Sequence, residues 1–181
     1  MSKDLGVKKR MMFIMGEDYN FLAYNIFIIL NGLGCISGRS FLKDHRKLSF
    51  LIDFVSDSKL LDVLEKQIRN YNASLNEYDK DVLNQSFTNS VLRMKTINQL
   101  IYTLNNEELI QVEEKKLEVL NVTLVKQAVD SGFFRGGTFK IERDNLKRLK
   151  SLVPRISILD ISNLLSQLYY KHGVIDEQII N

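Results

Sequence analysis

The chain has 181 residues, a formal net charge of +3, and apolar and charged fractions of 45% and 26%. That composition excludes a disordered polymer and suits one folded domain, or one core with a small helical lobe appended. The single cysteine, Cys35, excludes an intrachain disulfide, and the longest apolar run, Ile26 to Leu30, falls far short of the roughly 20 residues that span a bilayer.

A cytoplasmic protein without membrane contact is therefore expected. The pI of about 8.9 is mildly basic and does not by itself identify a nucleic-acid binder. Residues 1–15 read as a basic tail carrying Lys3, Lys8, Lys9 and Arg10. Met11 to Met15 is too short for the core of a signal peptide, and Glu17-Asp18 follows it without a small-residue cleavage site.

The first predicted helix covers 17–33. Phe21, Leu22, Ala23, Ile26, Phe27, Ile29 and Leu30 make it apolar nearly all round, which suits a fully buried helix or one held against a partner. Gly32 and Gly34 are its stop signal. A Gly/Ser loop, 35–40, leads to Asp44-His45-Arg46-Lys47 and a second helix with Leu48, Leu51, Ile52 and Val55 at helical spacing. Ser56, Asp57 or Ser58 caps a third helix over about 58–71, and 70–74 reads as a loop.

A fourth helical stretch begins near Asp79. The segment 89–104 carries a pronounced amphipathic pattern of Val91, Leu92, Met94, Ile97, Leu100, Ile101 and Leu104. Residues 109–120 alternate on both sides of a charged turn and predict a β-hairpin. Beyond it, the pattern predicts a short helix over 122–130, an exposed loop at Gly132, Gly136 and Gly137, a helix over 143–152 broken by Pro154, and a last helix over 158–171.

The fold class expected is mainly α with a small β-hairpin. A helix, a tight connection and a two-stranded hairpin follow in winged-helix order. The division predicted is a tail (1–15), a helical and winged-helix-like core (16–121) and a helical extension (122–181), leaving extra helices at both ends.

Little in the chain carries chemistry. His45 and His172 are 127 positions apart, which offers no close-spaced metal set. Cys35 and His45 are the one conceivable nucleophilic pair, with nothing marking a third group; the plainer reading packs Cys35 and leaves His45 solvated at a helix start. The glycines at 32–38 follow a helix and are misspaced for a dinucleotide fingerprint, and there is no P-loop. Residues 134–138 read as a phosphate-cradling loop or a surface turn. Asp57 reads as a cap and Asp53 as solvated. No catalytic residue, metal or cofactor is expected.

The basic residues are the more informative group. Between Arg135 and Arg155 stand seven bases, Arg135, Lys140, Arg143, Lys147, Arg148, Lys150 and Arg155, against Glu142 and Asp144, a local charge of +5. Arg143, Lys147 and Lys150 fall at i, i+4 and i+7 and share a helix face, open to phosphates, to an acidic partner or to solvent. A shorter cluster is Arg39, Lys43, His45, Arg46 and Lys47.

The stretch Tyr24 to Leu30, the Gly/Ser loop, and Asp44 to Asp57 together resemble the small middle component of ABC-type three-component systems, in particular the LmuC-type subunit of Lamassu antiphage and antiplasmid defence systems. The likeness spans roughly residues 20–120, with Arg46, Lys47 and Phe50 as family-like positions. It implies a subunit without chemistry of its own, accompanying an SMC-like coiled-coil ATPase and a nuclease effector, with double-stranded DNA met through the complex. The competing expectation is a free-standing winged-helix transcription regulator, reading base edges with Asn89, Arg93, Lys95, Asn98 and Gln99. A third is a small enzyme built on Cys35.

Overall fold

The computed structural model describes residues 19–69, 75–116 and 119–174. The protein is mainly α-helical with one small two-stranded hairpin. Helix α1 runs Tyr19–Gly32, α2 Lys47–Ser56, α3 Ser58–Arg69 and α4 Glu77–Asn106. The hairpin pairs β1 (Ile110–Lys116) with β2 (Val119–Leu124), and α5 (Ser131–Arg135), α6 (Lys140–Leu152) and α7 (Ile161–Leu168) follow. A 3₁₀ turn, Tyr170–His172, ends at Gly173 with φ +65°. The expected basic tail and the 70–74 loop lie outside the described residues.

Helix α2 is the centre of the molecule, with α1, α4 and α6 packed around it. Eight of its ten residues are buried. The near-continuous apolarity of α1 has the same cause: Ile26 to Leu30 lie in the chain's own core, so no partner is required to cover them. The outer side of α1 is closed by rings, with Tyr24 packed in tilted contact at 5.7 Å from Phe133 and 5.5 Å from Phe139. Leu146, Leu149, Leu164, Leu165 and Tyr169 join the same buried cluster as α1 and α2, so the C-terminal stretch shares one core with the rest.

Side-chain caps set several helix starts. Asp57 Oδ1 accepts from Lys59 N at the start of α3, Asn76 Oδ1 from Asp79 N at α4, and Asp160 Oδ1 from Asn163 N at α7.

Four local expectations are corrected. The helical stretch expected from near Asp79 is present as one 30-residue helix, but Val91 and Leu92, assigned to its apolar stripe, are exposed. Its inner line instead uses the small Ser86 and Ser90 with Ile97, Leu100, Ile101 and Leu104. Residues 122–124 are strand rather than helix, because β2 bonds on both edges: Val122 exchanges backbone bonds with Leu42 at 2.8 and 3.0 Å, opposite its pairing to Val112. Gly132 sits inside the short α5. The last helix is confined to 161–168.

Candidate functional site

The two basic clusters part company in the structure. In the first, the chain between α1 and α2 runs along the free edge of β2, which draws Asp44, His45 and Lys47 inward. His45 is buried with both ring nitrogens used: Nδ1 accepts from Leu120 N at 3.2 Å, so Nε2 donates to Asn98 Oδ1 at 2.8 Å. Burial holds this imidazole below its usual pKa, and the ring is neutral at pH 7. His45 is thus a buried tie between α2, α4 and β2, not a solvated helix start, and its nitrogens are not available to Cys35. The Cys35 thiol is itself buried, and its pKa is raised for that reason.

Lys47 is wholly buried. Its Nζ donates to three backbone carbonyls, Ile156 O at 2.7 Å, Ser157 O at 3.2 Å and Leu159 O at 2.8 Å. The turn after Pro154 brings these carbonyls together, and one ammonium with three donors satisfies them. Burial lowers its pKa to about 8. This candidate contact residue therefore faces the interior. Arg46 stays at the surface, forked onto Asp44 at 2.9 and 2.6 Å.

Two residues of the presumed reading face of α4 are also committed inward. Arg93 pairs with Asp53 at 2.5 Å, and Asn98 holds His45. Asp53 is correspondingly not solvated: it accepts from Ser86 as well, and burial raises its pKa against the opposing pull of Arg93. Ser86 connects onward to the buried Tyr169 hydroxyl at 3.1 Å.

The second cluster, on α6, remains at the surface. Inward positions Glu142, Asn145, Leu146 and Leu149 recur at i, i+3, i+4 and i+7. Asn145 fixes the helix by donating to Val55 O at 3.0 Å and accepting from Ser58 Oγ at 3.1 Å, which bridges the end of α2 and the start of α3. Arg148 turns towards α3, bonding Glu65 at 2.9 Å and Asp62 at 2.7 Å. Arg155 is exposed in a left-handed turn, φ +62°.

Arg143, Lys147 and Lys150 share one side of α6, as their spacing predicts. They border a cleft of about 270 Å³ whose walls include Ile28, Asn31, Gly32, Phe134 and Leu146. Lys150 Nζ donates to Gly32 O, an end carbonyl of α1, at 2.7 Å, and Arg143 donates to Gly136 O at 2.6 Å. The other terminal nitrogen of Arg143 is buried and finds no hydrogen-bond acceptor among the described residues. Lys147 is largely exposed beside Asp144, at 3.3 Å.

Gly32 permits the close contact that shapes this cleft. A β-carbon there would lie 2.3 Å from Leu146 Cδ2. The sequence marks Gly32 only as a helix stop, and nothing local to Ile28, Asn31 or Phe134 signals that they meet α6, more than a hundred positions away in the first two cases.

Among the described residues, no group of three or more His, Cys, Asp or Glu is placed to hold a metal ion, and no helix is long and apolar enough to cross a membrane. Comparison with protein families, with curated proteins and with solved structures returned no match.

Proposed function

We propose that the chain is a non-catalytic bridging subunit of a cytoplasmic defence complex against phage or plasmid DNA, in which it joins an SMC-like coiled-coil ATPase to a nuclease effector. The observation that carries the reading is the contrast in how reactive and charged groups are used. His45, Lys47 and Asp53, the groups suited to acid-base work, are bound into the interior, while the cations of α6 border an open cleft. Such a surface suits recognition rather than reaction. The sequence resemblance over 20–120 supplies the nature of the complex. The regulator reading is weakened, because Arg93 and Asn98 are spent on Asp53 and His45.

Affinity purification of the tagged full chain from its host, followed by mass spectrometry, tests this. Co-purification of a large coiled-coil ATPase and a nuclease is the expected result. A chain recovered alone, as a dimer that shifts a defined duplex, would instead establish the regulator.

A further inference from the structure

We infer that the cleft between α1, α5 and α6 is the docking site for an acidic segment of a partner protein, which seats one apolar side chain between two carboxylates. The inference rests on the bridging role proposed above and specifies its contact.

Three features point to that occupant. The first is charge. Arg143, Lys147 and Lys150 stand along one side of the cleft, and the neighbouring acid on α6, Asp144, already accepts from Lys140 at 2.7 Å and Lys147 at 3.3 Å. With three cations against one acid, this side of the cleft keeps a net positive charge that the carboxylates of a partner complement.

The second is the cleft wall. Ile28, Leu146 and Phe134 present carbon to whatever enters. A duplex phosphate is served by cations and backbone amides and gains nothing from that wall. An apolar side chain flanked by acids uses both parts of the site.

The third is size. At about 270 Å³ the cleft is smaller than the roughly 300–1,000 Å³ of pockets that enclose a whole small ligand. It has room for one anchoring side chain from a chain that passes across it. Arg143 and Lys150 are seven residues apart, about 10 Å along a helix axis. Side chains of an extended peptide alternate between its two faces, so groups two residues apart, about 7 Å, share the face turned to the cleft. The partner segment is therefore an acid, a spacer, the apolar anchor, a spacer and a second acid, with about 13 Å between acids that the long side chains of Arg143 and Lys150 accommodate.

The test has two arms. In the first, a benzophenone amino acid replaces Phe134 in the tagged full chain, with replacement of the exposed Gln99 on α4 as control. After irradiation in the host, the captured segment is sequenced. The expected result is a segment with that acid–apolar–acid pattern, captured from Phe134 and reduced about tenfold by Lys147→Glu. Capture of nucleic acid, capture of a segment without carboxylates, or no capture from Phe134 would overturn the inference.

In the second arm, the purified chain is titrated with the blocked peptide Gly-Asp-Ala-Phe-Ala-Asp-Gly and followed by NMR. Shifts confined to Gly32, Phe134, Lys147 and Lys150, and suppressed by salt, are expected; shifts elsewhere or none would overturn it. A 20-base-pair duplex that displaces the peptide and binds more tightly would assign the cleft to DNA instead. Partners that co-purify without a cross-link from Phe134 would refute the cleft and leave the bridging role standing. Peptide shifts in a chain that co-purifies with nothing would do the reverse.

Discussion

The segments 39–47 and 143–150 are alike in composition, each crowded with lysine and arginine, and the fold uses them differently: the first keeps Arg39 and Lys43 exposed but sends His45 and Lys47 inward. The first is laid against β2 and α4, where Lys47 caps three carbonyls and His45 bridges a backbone amide and Asn98. The second offers Arg143, Lys147 and Lys150 to a surface cleft. The difference lies in what each segment meets. The turn at 156–159 presents the carbonyls of Ile156 and Leu159 to α2, together with Ser157 O, which also accepts from Lys43 N, and a buried cation is the group that satisfies them. The cations of α6 meet their partners from the surface, Lys150 at Gly32 O and Arg143 at Gly136 O, while Lys147 stays largely exposed. Charge density along a chain thus identifies cations without saying which way they point.

The comparison can be broken most sharply at Lys47. Lys47→Ala leaves the carbonyls of Ile156 and Leu159 without their side-chain donor, takes one of two donors from Ser157 O, and opens a cavity, and should cost about 3 kcal/mol in chemical denaturation. Loss of less than about 1 kcal/mol would mean that the 153–160 turn does not depend on this tie.

Gly32→Ala comes next. Its new methyl meets Leu146, which is buried and must repack, while alanine recovers some helix propensity; a net loss of about 1 kcal/mol is expected, read in the same assay. The substitution should also alter the cleft, since Gly32 and Leu146 both line it.

A smaller and pH-dependent effect belongs to the inward cluster. Burial lowers the pKa of His45, and of His172 at the other end of the chain, in the folded state. The unfolded chain then takes up protons first, so stability present above about pH 6.5 is lost as pH falls below it. Denaturation midpoints measured from pH 7.5 down to pH 5 should show the decline, and His45→Gln should flatten it. A slope unchanged by that substitution would place the titrating group elsewhere.

The smallest effect on folding is expected on the other side of the comparison. Lys147→Glu alters a largely exposed cation with a surface ion pair, and should leave the denaturation midpoint unchanged while weakening capture of an acidic partner. A lowered midpoint would show that α6 relies on this face for stability as well.

Much of the architecture was legible in the sequence because it follows from short-range patterns. The mainly helical class, the hairpin near 110–120 and the cap at Asp57 come from apolar periodicity, strand alternation and a side chain two residues from the amide it serves. The shared face of Arg143, Lys147 and Lys150 likewise follows from helical spacing. These features need only neighbours within a turn or two.

Tertiary structure alone decided the rest. Residues 122–124 extend β2 because the 35–45 segment supplies a second bonding edge, across roughly eighty positions of sequence. Asp53 and Arg93, forty residues apart, form an ion pair between α2 and α4. The cleft exists because Gly32 lets α1 approach Leu146 on α6. The physical reason is common to all three. Apolar spacing is written locally, whereas the partner that satisfies a buried polar group is set by which distant elements pack against it.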